Sequence, residues 1–274
     1  MIADALRADL DLALLLADRA DEITMAGFRR ADLRVETKPD LTPVTEADQA
    51  AEQVIRAGVA EARPGDAVLG EEHGTTGTGS RRWIVDPIDG TKSYVRGLPV
   101  WATLIAVEVD GIQTVGVASA PALGRRWWAA RGRGAFAAAP GSPGSPGSPI
   151  RVSAVSALSD AQLSGSTLSD WEPHGGVGRV LALALRCGRD RSFGDFWSHV
   201  LVAEGACDIG LDPIASLWDL AALQVIVEEA GGRFTDLRGA GRADGGSAVS
   251  TNGLLHDEVL ELLTGNAGLR SPGA

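Results

Sequence analysis

The sequence predicts a layered fold of α-helices and β-strands, and three observations lead to this fold class. Residues 3–62 carry apolar side chains at the three-to-four-residue spacing of helices. Residues 101–138 are rich in β-branched and aromatic residues in short runs between turn signals. From residue 162 onward, strand-like and helix-like segments alternate. Since a sheet and a helix each bury one apolar face, we expect helices to cover the sheets in layers.

The N-terminal region predicts two helices. The first spans residues 3–30, where Leu6, Leu10 and Leu14 recur on one face with charges between them. The second spans residues 44–62. It begins near a threonine followed three residues later by an aspartate, Thr45 and Asp48, which is the spacing of a capping box.

Strand-like runs fill the middle of the chain. Asp110-Gly111 separates two of them and is a strong hairpin signal. The runs are 67–70, 82–85, 103–107, 114–119, 125–130 and 134–138. The arginine- and glycine-rich residues 131–134 between the last two predict a turn with solvated arginines, and not a nucleic-acid element. The first two runs predict short buried strands, and the last four predict strands of one sheet.

We predict a single catalytic domain over residues 1–263, with an α+β half to residue 150 and an α/β half after it. Residues 140–149 repeat Pro-Gly-Ser, a composition with little to bury, and predict a flexible loop inside the domain. The strands expected in the second half are 162–166, 207–211 and 248–251, and the helices 176–186, 196–204, 216–230 and 254–263. The tail, 264–274, is expected to be frayed.

Composition limits the classes of function. The 274 residues include 36 acidic and 25 basic side chains, for a net charge of -11, which argues against nucleic-acid binding through a basic face. Cys187 and Cys207 stand in no metal-binding or disulfide spacing, so neither zinc nor a disulfide framework is expected. Charged residues interrupt the apolar N-terminus, which argues against a signal peptide or membrane span. We expect a cytoplasmic protein.

The segment Asp86-Pro87-Ile88-Asp89-Gly90-Thr91 follows a short apolar run and carries the clearest chemical signal. Asp86 and Asp89 can converge on one side, and the Ile88 carbonyl can join them, as hard oxygen ligands for Mg²⁺. Glu71, after the preceding strand, and Asp219, at the start of an apolar helix, are further candidates. A single Asp in such a place is more often a cap or turn residue, but three acidic clusters at element ends favour a metal site.

Gly90 and Thr91 open a predicted helix, where unpaired backbone amides can bind phosphate. Glycine allows a ligand to approach the backbone closely. Thr91 has two interpretations that its local sequence does not separate. It is either an N-cap or a group that polarises an attacking water together with Asp48.

Four ordered signatures resemble those of the inositol monophosphatase family: Thr45 to Asp48, Gly70 to Glu72, Asp86 to Thr91, and Trp218 to Ala222. The resemblance extends over residues 5–263 and implies a five-layer α-β-α-β-α fold, a homodimer, and phosphate monoester hydrolysis. It implies two to three Mg²⁺ ions per site, with Mn²⁺ as a possible substitute. The implied metal ligands are Glu71, Asp86, the Ile88 carbonyl, Asp89 and Asp219. Asp48 and Thr91, helped by Glu71, would activate water, and Gly90 and Thr91 would bind phosphate.

The choice of substrate rests on other segments. Residues 193–205, 40–45 and 125–130 resemble the histidinol-phosphatase branch of that family, whose reaction converts L-histidinol phosphate and water to L-histidinol and phosphate. Acidic groups suit the ammonium and imidazole of that substrate, and the candidates are Asp195, Glu204 and Asp212. The alternative for Asp195 and Glu204 is that they only cap a helix or pair on the surface. Many family members have Asn and then Phe two and three residues after the threonine, where this chain has Ser93 and Tyr94. Lys92, beside them, touches substrate or is solvated. The alternatives are an inositol-1-monophosphatase or broad sugar phosphatase and, with less support, a non-enzymatic scaffold.

Overall fold

A computed structural model describes residues 2–39, 41–139, 147–174 and 176–265 of the chain. The helices are α1 (Ile2–Gly27), α2 (Glu46–Ala62), α3 (Thr91–Val95), α4 (Val177–Arg186), α5 (Asp195–Ala203), α6 (Leu217–Glu229) and α7 (His256–Thr264). The strands of the first half are β1 (Val35–Thr37), β2 (Pro43–Thr45), β3 (Ala67–Gly70), β4 (Gly74–Thr76), β5 (Arg81–Asp89), β6 (Ala102–Val109), β7 (Ile112–Ala120), β8 (Arg125–Ala130), β9 (Ala135–Ala138) and β10 (Ser148–Ile150). Those of the second half are β11 (Gln162–Gly165), β12 (Arg189–Asp190), β13 (Ile209–Asp212), β14 (Arg233–Thr235) and β15 (Ala248–Thr251).

The N-terminal helices form as the apolar spacing predicts. The capping box at the start of α2 is confirmed: the Thr45 hydroxyl accepts from the backbone of Ala47 and Asp48, and the Asp48 carboxylate accepts from the backbone of Thr45 at 2.8 Å. This cap fixes the Asp48 side chain at the first turn of α2, where it faces the site described below.

An eight-stranded sheet occupies the middle of the molecule, in the order β10-β9-β8-β7-β6-β5-β3-β4. All neighbours are antiparallel except β3 and β5, which run parallel. The hairpin predicted at Asp110-Gly111 joins β6 to β7, and both residues have positive φ, 51° and 80°, as tight hairpin turns require. Strand β6 is buried on both faces because helices cover the sheet on both sides.

A second sheet has five strands in the order β12-β11-β13-β15-β14. Strands β11, β12 and β13 are parallel, and β15 is antiparallel to both β13 and β14. The parallel pair β11 and β13 matters for the site because the carboxyl ends of neighbouring parallel strands lie at the same edge.

The two sheets and their helices make five layers, so the five-layer arrangement is confirmed. Helices α1 and α2 pack on the outer face of the large sheet, around Leu16 and Ile55. Helices α5 and α6 fill the space between the sheets, and α4 and α7 cover the outer face of the small sheet. None of the described helices is both long enough and apolar enough to span a bilayer.

Several elements differ from those predicted. Strands β1, β2, β4 and β14 were not predicted, because each has three residues, too few to show a period of two. Ser148–Ile150 pair with β9, so residues 148–149 lie in a strand and not in the loop predicted for 140–149. Residues 140–146 of that loop, and residues 266–274 of the tail expected to fray, lie outside the described residues.

Candidate active site

A pocket of about 350 Å³ opens where several element ends meet. Strands β3 and β5 are parallel neighbours, so their carboxyl ends bring Glu71 and Asp86 to the same edge of the large sheet. Helices α3, α5 and α6 all begin beside this edge and contribute Thr91, Asp195 and Asp219 to the pocket wall. The fold therefore gathers at one place residues that are far apart in the sequence.

Three carboxylates form the base of the pocket. One oxygen from each of Asp86, Asp89 and Asp219 lies within 4.8 Å of the other two. Backbone amides fix their orientation: Ile88 donates to Asp86 at 2.9 Å, and Phe196, in the first turn of α5, donates to Asp89 at 2.6 Å.

The third carboxylate is held by the start of α6. Asp219 is three residues after the N-cap Ser216 and accepts the Ser216 amide at 2.6 Å, which closes a capping box. The apolar sequence that follows forms the helix between the two sheets. Its first turn therefore delivers an acidic side chain to the pocket while the rest of the helix remains in the core.

Burial makes these acids hard to ionise without a cation. Burial, together with the charge of Glu71, raises the pKa of Asp86 well above its usual range, and burial with the charge of Asp195 does the same for Asp89. The pKa of Asp219 is raised to about 7, chiefly by burial. A group of buried carboxylates that supplies only oxygen atoms fits a hard divalent cation.

Glu71 is already paired with a cation of this chain. Lys38, just after β1, places its ammonium nitrogen 2.7 Å from one carboxylate oxygen of Glu71 and 2.7 Å from one of Glu72. The two glutamates raise the pKa of Lys38 against the effect of its burial, and burial raises that of Glu72 to about 7. Glu71, a predicted metal ligand, is thus bonded to Lys38 in this structure and stands outside the group of three close carboxylates.

Thr91 lines the pocket, and the fully buried Asp48 lies directly behind its hydroxyl without lining the pocket itself. The Thr91 hydroxyl donates to the Ile88 carbonyl at 3.0 Å, and the same oxygen lies 3.4 Å from Oδ1 of Asp48. Burial raises the pKa of Asp48 to about 6, against the lowering effect of its bonds with Thr45. Thr91 is the first residue of α3, so its hydroxyl does not cap that helix; the N-cap residue is Gly90.

Gly90 meets two requirements that another residue would not. Its φ of 87° lies in the left-handed region. A β-carbon at this position would lie 3.0 Å from the Val100 carbonyl oxygen and 3.2 Å from Oδ2 of Asp195. The chain can therefore turn sharply from β5 into α3, whose first-turn amides have no partners within the helix itself.

A second group of acids, the acidic wall, lines the same pocket. Burial and the charge of Asp212 raise the pKa of Asp195 to about 6, burial raises that of Asp212, and the charge of Asp170 adds to both increases. Asp212 also lies 3.5 Å from Nε2 of the buried His199. Lys92 lies at the exposed rim of the pocket, where its charge lowers the pKa of Asp195.

The structure does not bring Glu204 into the pocket, contrary to the expectation that it contacts substrate. Glu204 is the C-cap of α5, while Asp195 begins that helix. The nine intervening steps separate the two residues by about 13 Å at the rise of an α-helix. The Glu204 carboxylate instead accepts a hydrogen bond from the Trp127 indole at 2.7 Å and pairs with Arg125.

Two charged residues of the site were not predicted from the sequence: Asp170, which lines the pocket, and Lys38, which contacts the pocket residue Glu71. Lys38 carried no signal, since a single lysine in a polar segment is usually solvated. Asp170 had a signal that was not used: it follows β11 by five residues, and β11 is the parallel neighbour of the strand that ends in Asp212. The rule that parallel strands present ligand-binding residues at their carboxyl ends points to it.

The chain is similar to known proteins over most of its length. The model of the inositol monophosphatase family matches residues 6–266. The chain is 59% identical over 262 residues to a histidinol-phosphatase of Mycobacterium tuberculosis, with 95% of this chain and 98% of that protein covered. It is 53% identical to a histidinol-phosphatase of Streptomyces coelicolor, with 93% and 96% covered. Among solved structures, it resembles the IMPase of Thermotoga maritima at a TM-score of 0.83 and 31% identity, covering 94% of this chain and 97% of that one.

Proposed function

Because the chain belongs to the inositol monophosphatase family, we propose that it is a Mg²⁺-dependent phosphatase that hydrolyses L-histidinol phosphate to L-histidinol and phosphate. The acidic wall, which lies in the same pocket as the metal-binding acids, is the structural observation that carries this choice of substrate. Histidinol phosphate bears an ammonium and an imidazole, and the carboxylates of Asp170, Asp195 and Asp212 in the pocket would suit these cationic groups. The similarity to two histidinol-phosphatases supports the same choice.

The metal-binding residues in this proposal are Glu71, Asp86, the Ile88 carbonyl, Asp89 and Asp219. When bound, two to three Mg²⁺ ions supply positive charge that offsets the charge of the phosphate in the transition state. The oxygen-only set favours Mg²⁺ and also admits Mn²⁺.

The protein's own contribution is to hold water and phosphate. The Thr91 hydroxyl and Oδ1 of Asp48 are 3.4 Å apart and together orient an attacking water. With a pKa of about 6, Asp48 is ionised at neutral pH and still basic enough to accept that water's proton. The amides of Gly90 and Thr91, at the start of α3, would hold the phosphate oxygens.

A substrate comparison tests the proposal. Purified protein with Mg²⁺ is assayed on histidinol phosphate and on inositol 1-phosphate, and kcat/KM is compared. We expect the first to be preferred by at least about tenfold, which corresponds to about 1.4 kcal/mol of transition-state discrimination. A tenfold preference for the inositol ester would instead support the inositol phosphatase alternative, and no Mg²⁺-dependent turnover of any ester would support the scaffold alternative.

Asp170→Asn tests the acidic wall. We expect KM for histidinol phosphate to rise about tenfold, the loss of one partly desolvated charge pair, because Asp170 faces the pocket beside Asp195 and Asp212. KM for an ester that has no cationic group, such as inositol 1-phosphate, should change less than about threefold. The matched control is Glu172→Gln, an exposed residue on the same 3-10 helix, Leu168–His174. Equal changes for both esters would contradict a role in recognising the cationic end.

The pH dependence of stability follows from the raised pKa values. Asp48, Asp195 and Asp219 have folded pKa values of about 6, 6 and 7, above the usual 3.8, so the stability they contribute is present at low pH and lost as the pH rises from 4 to 7. His256, whose pKa is lowered to about 4, contributes stability that rises with pH, but it is one group against these three. We expect the melting temperature in EDTA to fall from pH 5 to pH 8, and Mg²⁺ to raise it more at pH 8. A larger Mg²⁺ effect at pH 5 would contradict this.

The oligomeric state and compartment also remain proposals. We infer a homodimer from membership in the family, and sedimentation at micromolar concentration showing a monomer mass would contradict it. We infer a cytoplasmic location because Cys187 and Cys207 are both free thiols, as in a reducing compartment.

A further inference from the structure

A buried glutamate that takes no part in the proposed reaction lies behind the turn that carries Glu71. Glu52 is on α2, one helical turn after Asp48, and its side chain has no exposed surface. The turn in front of it, residues 71–73, joins β3 to β4 and supplies Glu71 to the pocket. A buried carboxylate needs several hydrogen bonds to be tolerated, so its partners show what it holds.

Those partners are the backbone of the turn itself. Oε2 of Glu52 accepts the Glu72 amide at 2.7 Å, and Oε1 accepts the His73 amide at 3.1 Å. The His73 ring nitrogen Nδ1 also lies 3.1 Å from Oε1. Each oxygen of one carboxylate thus binds one of two consecutive amides, immediately after Glu71. Bonds of this kind to an ionised group are the stronger class.

The sequence leaves room for this contact at Gly70. The Gly70 backbone does not have a positive φ, so its conformation alone does not require glycine. A β-carbon there would lie 2.2 Å from Oε1 and 2.3 Å from Cδ of Glu52, far inside van der Waals contact. Glycine at this position allows the carboxylate to lie against the chain.

Arg56, one turn further along α2, completes the arrangement. Its Nε donates to Oε1 of Glu52 at 2.6 Å, and its other nitrogens donate to the Gly74 carbonyl and the Thr76 hydroxyl in β4. The guanidinium therefore balances the buried charge and ties the far end of the turn to the same helix.

We propose that Glu52 is a positioning residue that fixes the 71–73 turn so that the Glu71 carboxylate is held ready for the metal. The inference rests on the proposed function, in which Glu71 is a metal ligand. Groups that orient a ligand from behind change metal affinity by about 10-fold to 100-fold when mutated. Because α2 also carries Asp48, one helix then sets both the water-activating carboxylate and a metal-binding one.

Glu52→Gln is the direct test. Glutamine keeps the volume but has one acceptor oxygen, so its NH₂ would face an N–H donor and one amide of the turn would lose its partner. We expect the Mg²⁺ concentration for half-maximal activity to rise at least about tenfold, with kcat at saturating Mg²⁺ within about threefold of wild type. The rise of melting temperature caused by Mg²⁺ should shrink in parallel, which measures binding without turnover.

Two further variants sharpen the result. Gly70→Ala, which pushes the Glu52 carboxylate away while leaving every hydrogen-bonding group in place, should shift the Mg²⁺ dependence in the same direction. Glu61→Gln, the same change at an exposed position near the end of α2, should leave it unchanged. A variant that only loses stability would have a lower melting temperature in EDTA but the same Mg²⁺ concentration for half-maximal activity. If folded Glu52→Gln and Gly70→Ala both behave in this way, the proposal is overturned.

A measurement on the wild-type protein covers the case in which the variants do not fold. The amide hydrogens of Glu72 and His73 should exchange with deuterium at least about 100-fold more slowly than unprotected amides, even in EDTA. Exchange at the unprotected rate overturns the proposal. If Mg²⁺ changes neither the activity nor the melting temperature of the wild-type protein, the proposed function and the proposed role of Glu52 both fail. If wild type responds to Mg²⁺ and both folded variants respond identically, only the role of Glu52 fails.

Discussion

Replacing Asp89 by Asn is expected to lower kcat/KM by at least about 1,000-fold at saturating Mg²⁺, while the metal-free protein stays as stable as wild type or becomes more stable. Loss of a metal ligand removes several kcal/mol of transition-state stabilisation, and each 1.36 kcal/mol is a factor of ten. Stability is retained because burial and neighbouring charge raise the pKa of Asp89, so a neutral amide of the same size relieves repulsion. The asparagine oxygen can still accept the Phe196 amide.

The measurement is a pair of melting curves, in EDTA and in Mg²⁺, beside the rate assay. The matched control is Asp257→Asn, the same change at a side chain that is 64% exposed and paired with Arg233 on the surface. This control should leave both the rate and the Mg²⁺ response unchanged. Survival of Mg²⁺-dependent phosphatase activity in Asp89→Asn would show that the metal assignment is wrong.

Thr91→Val is expected to lower kcat about 100-fold or more, with KM changed less than about threefold, because positioned proton transfer contributes factors of about 10² to 10⁴. Valine matches threonine in shape but cannot bond the Ile88 carbonyl or lie as a polar group beside Asp48. If the two residues act as a unit, Asp48→Asn combined with Thr91→Val should cost little more than the larger single change.

The control for this pair is Thr114→Val. The Thr114 hydroxyl also donates to a backbone carbonyl at 3.0 Å, that of Val107, but on the sheet and away from the pocket lining. It should change kcat less than about twofold, since a lost surface-side hydrogen bond affects stability and not the reaction. If Thr114→Val lowered kcat as much as Thr91→Val does, the effect of Thr91→Val would reflect a general loss of structure and not a role in the reaction. Fully additive losses in the double variant would argue that Asp48 and Thr91 act separately.

Much of the fold was predictable because its signals are local. The Thr45 cap with Asp48 and the Asp110-Gly111 turn each depend on residues within a few positions, and the structure confirms both. The short exposed strands β1 and β4 were not predicted, because they depend on contacts that are not local. Pairing with a neighbouring strand forms them, and no periodic burial marks them in the sequence.

The pocket likewise has a part that local sequence predicts and a part that it does not. The sequence by itself determined the reaction chemistry, since Asp86, Ile88, Asp89, Gly90 and Thr91 lie within six consecutive residues and a strand leading into a helix holds them together. Only the tertiary structure decided which distant side chains join them. It placed Lys38 on Glu71, Glu52 behind the 71–73 turn and Asp170 beside Asp212, and it left Glu204 outside. The physical reason is that the packing of strands and helices sets the distances between these side chains, and the number of residues between them along the chain does not.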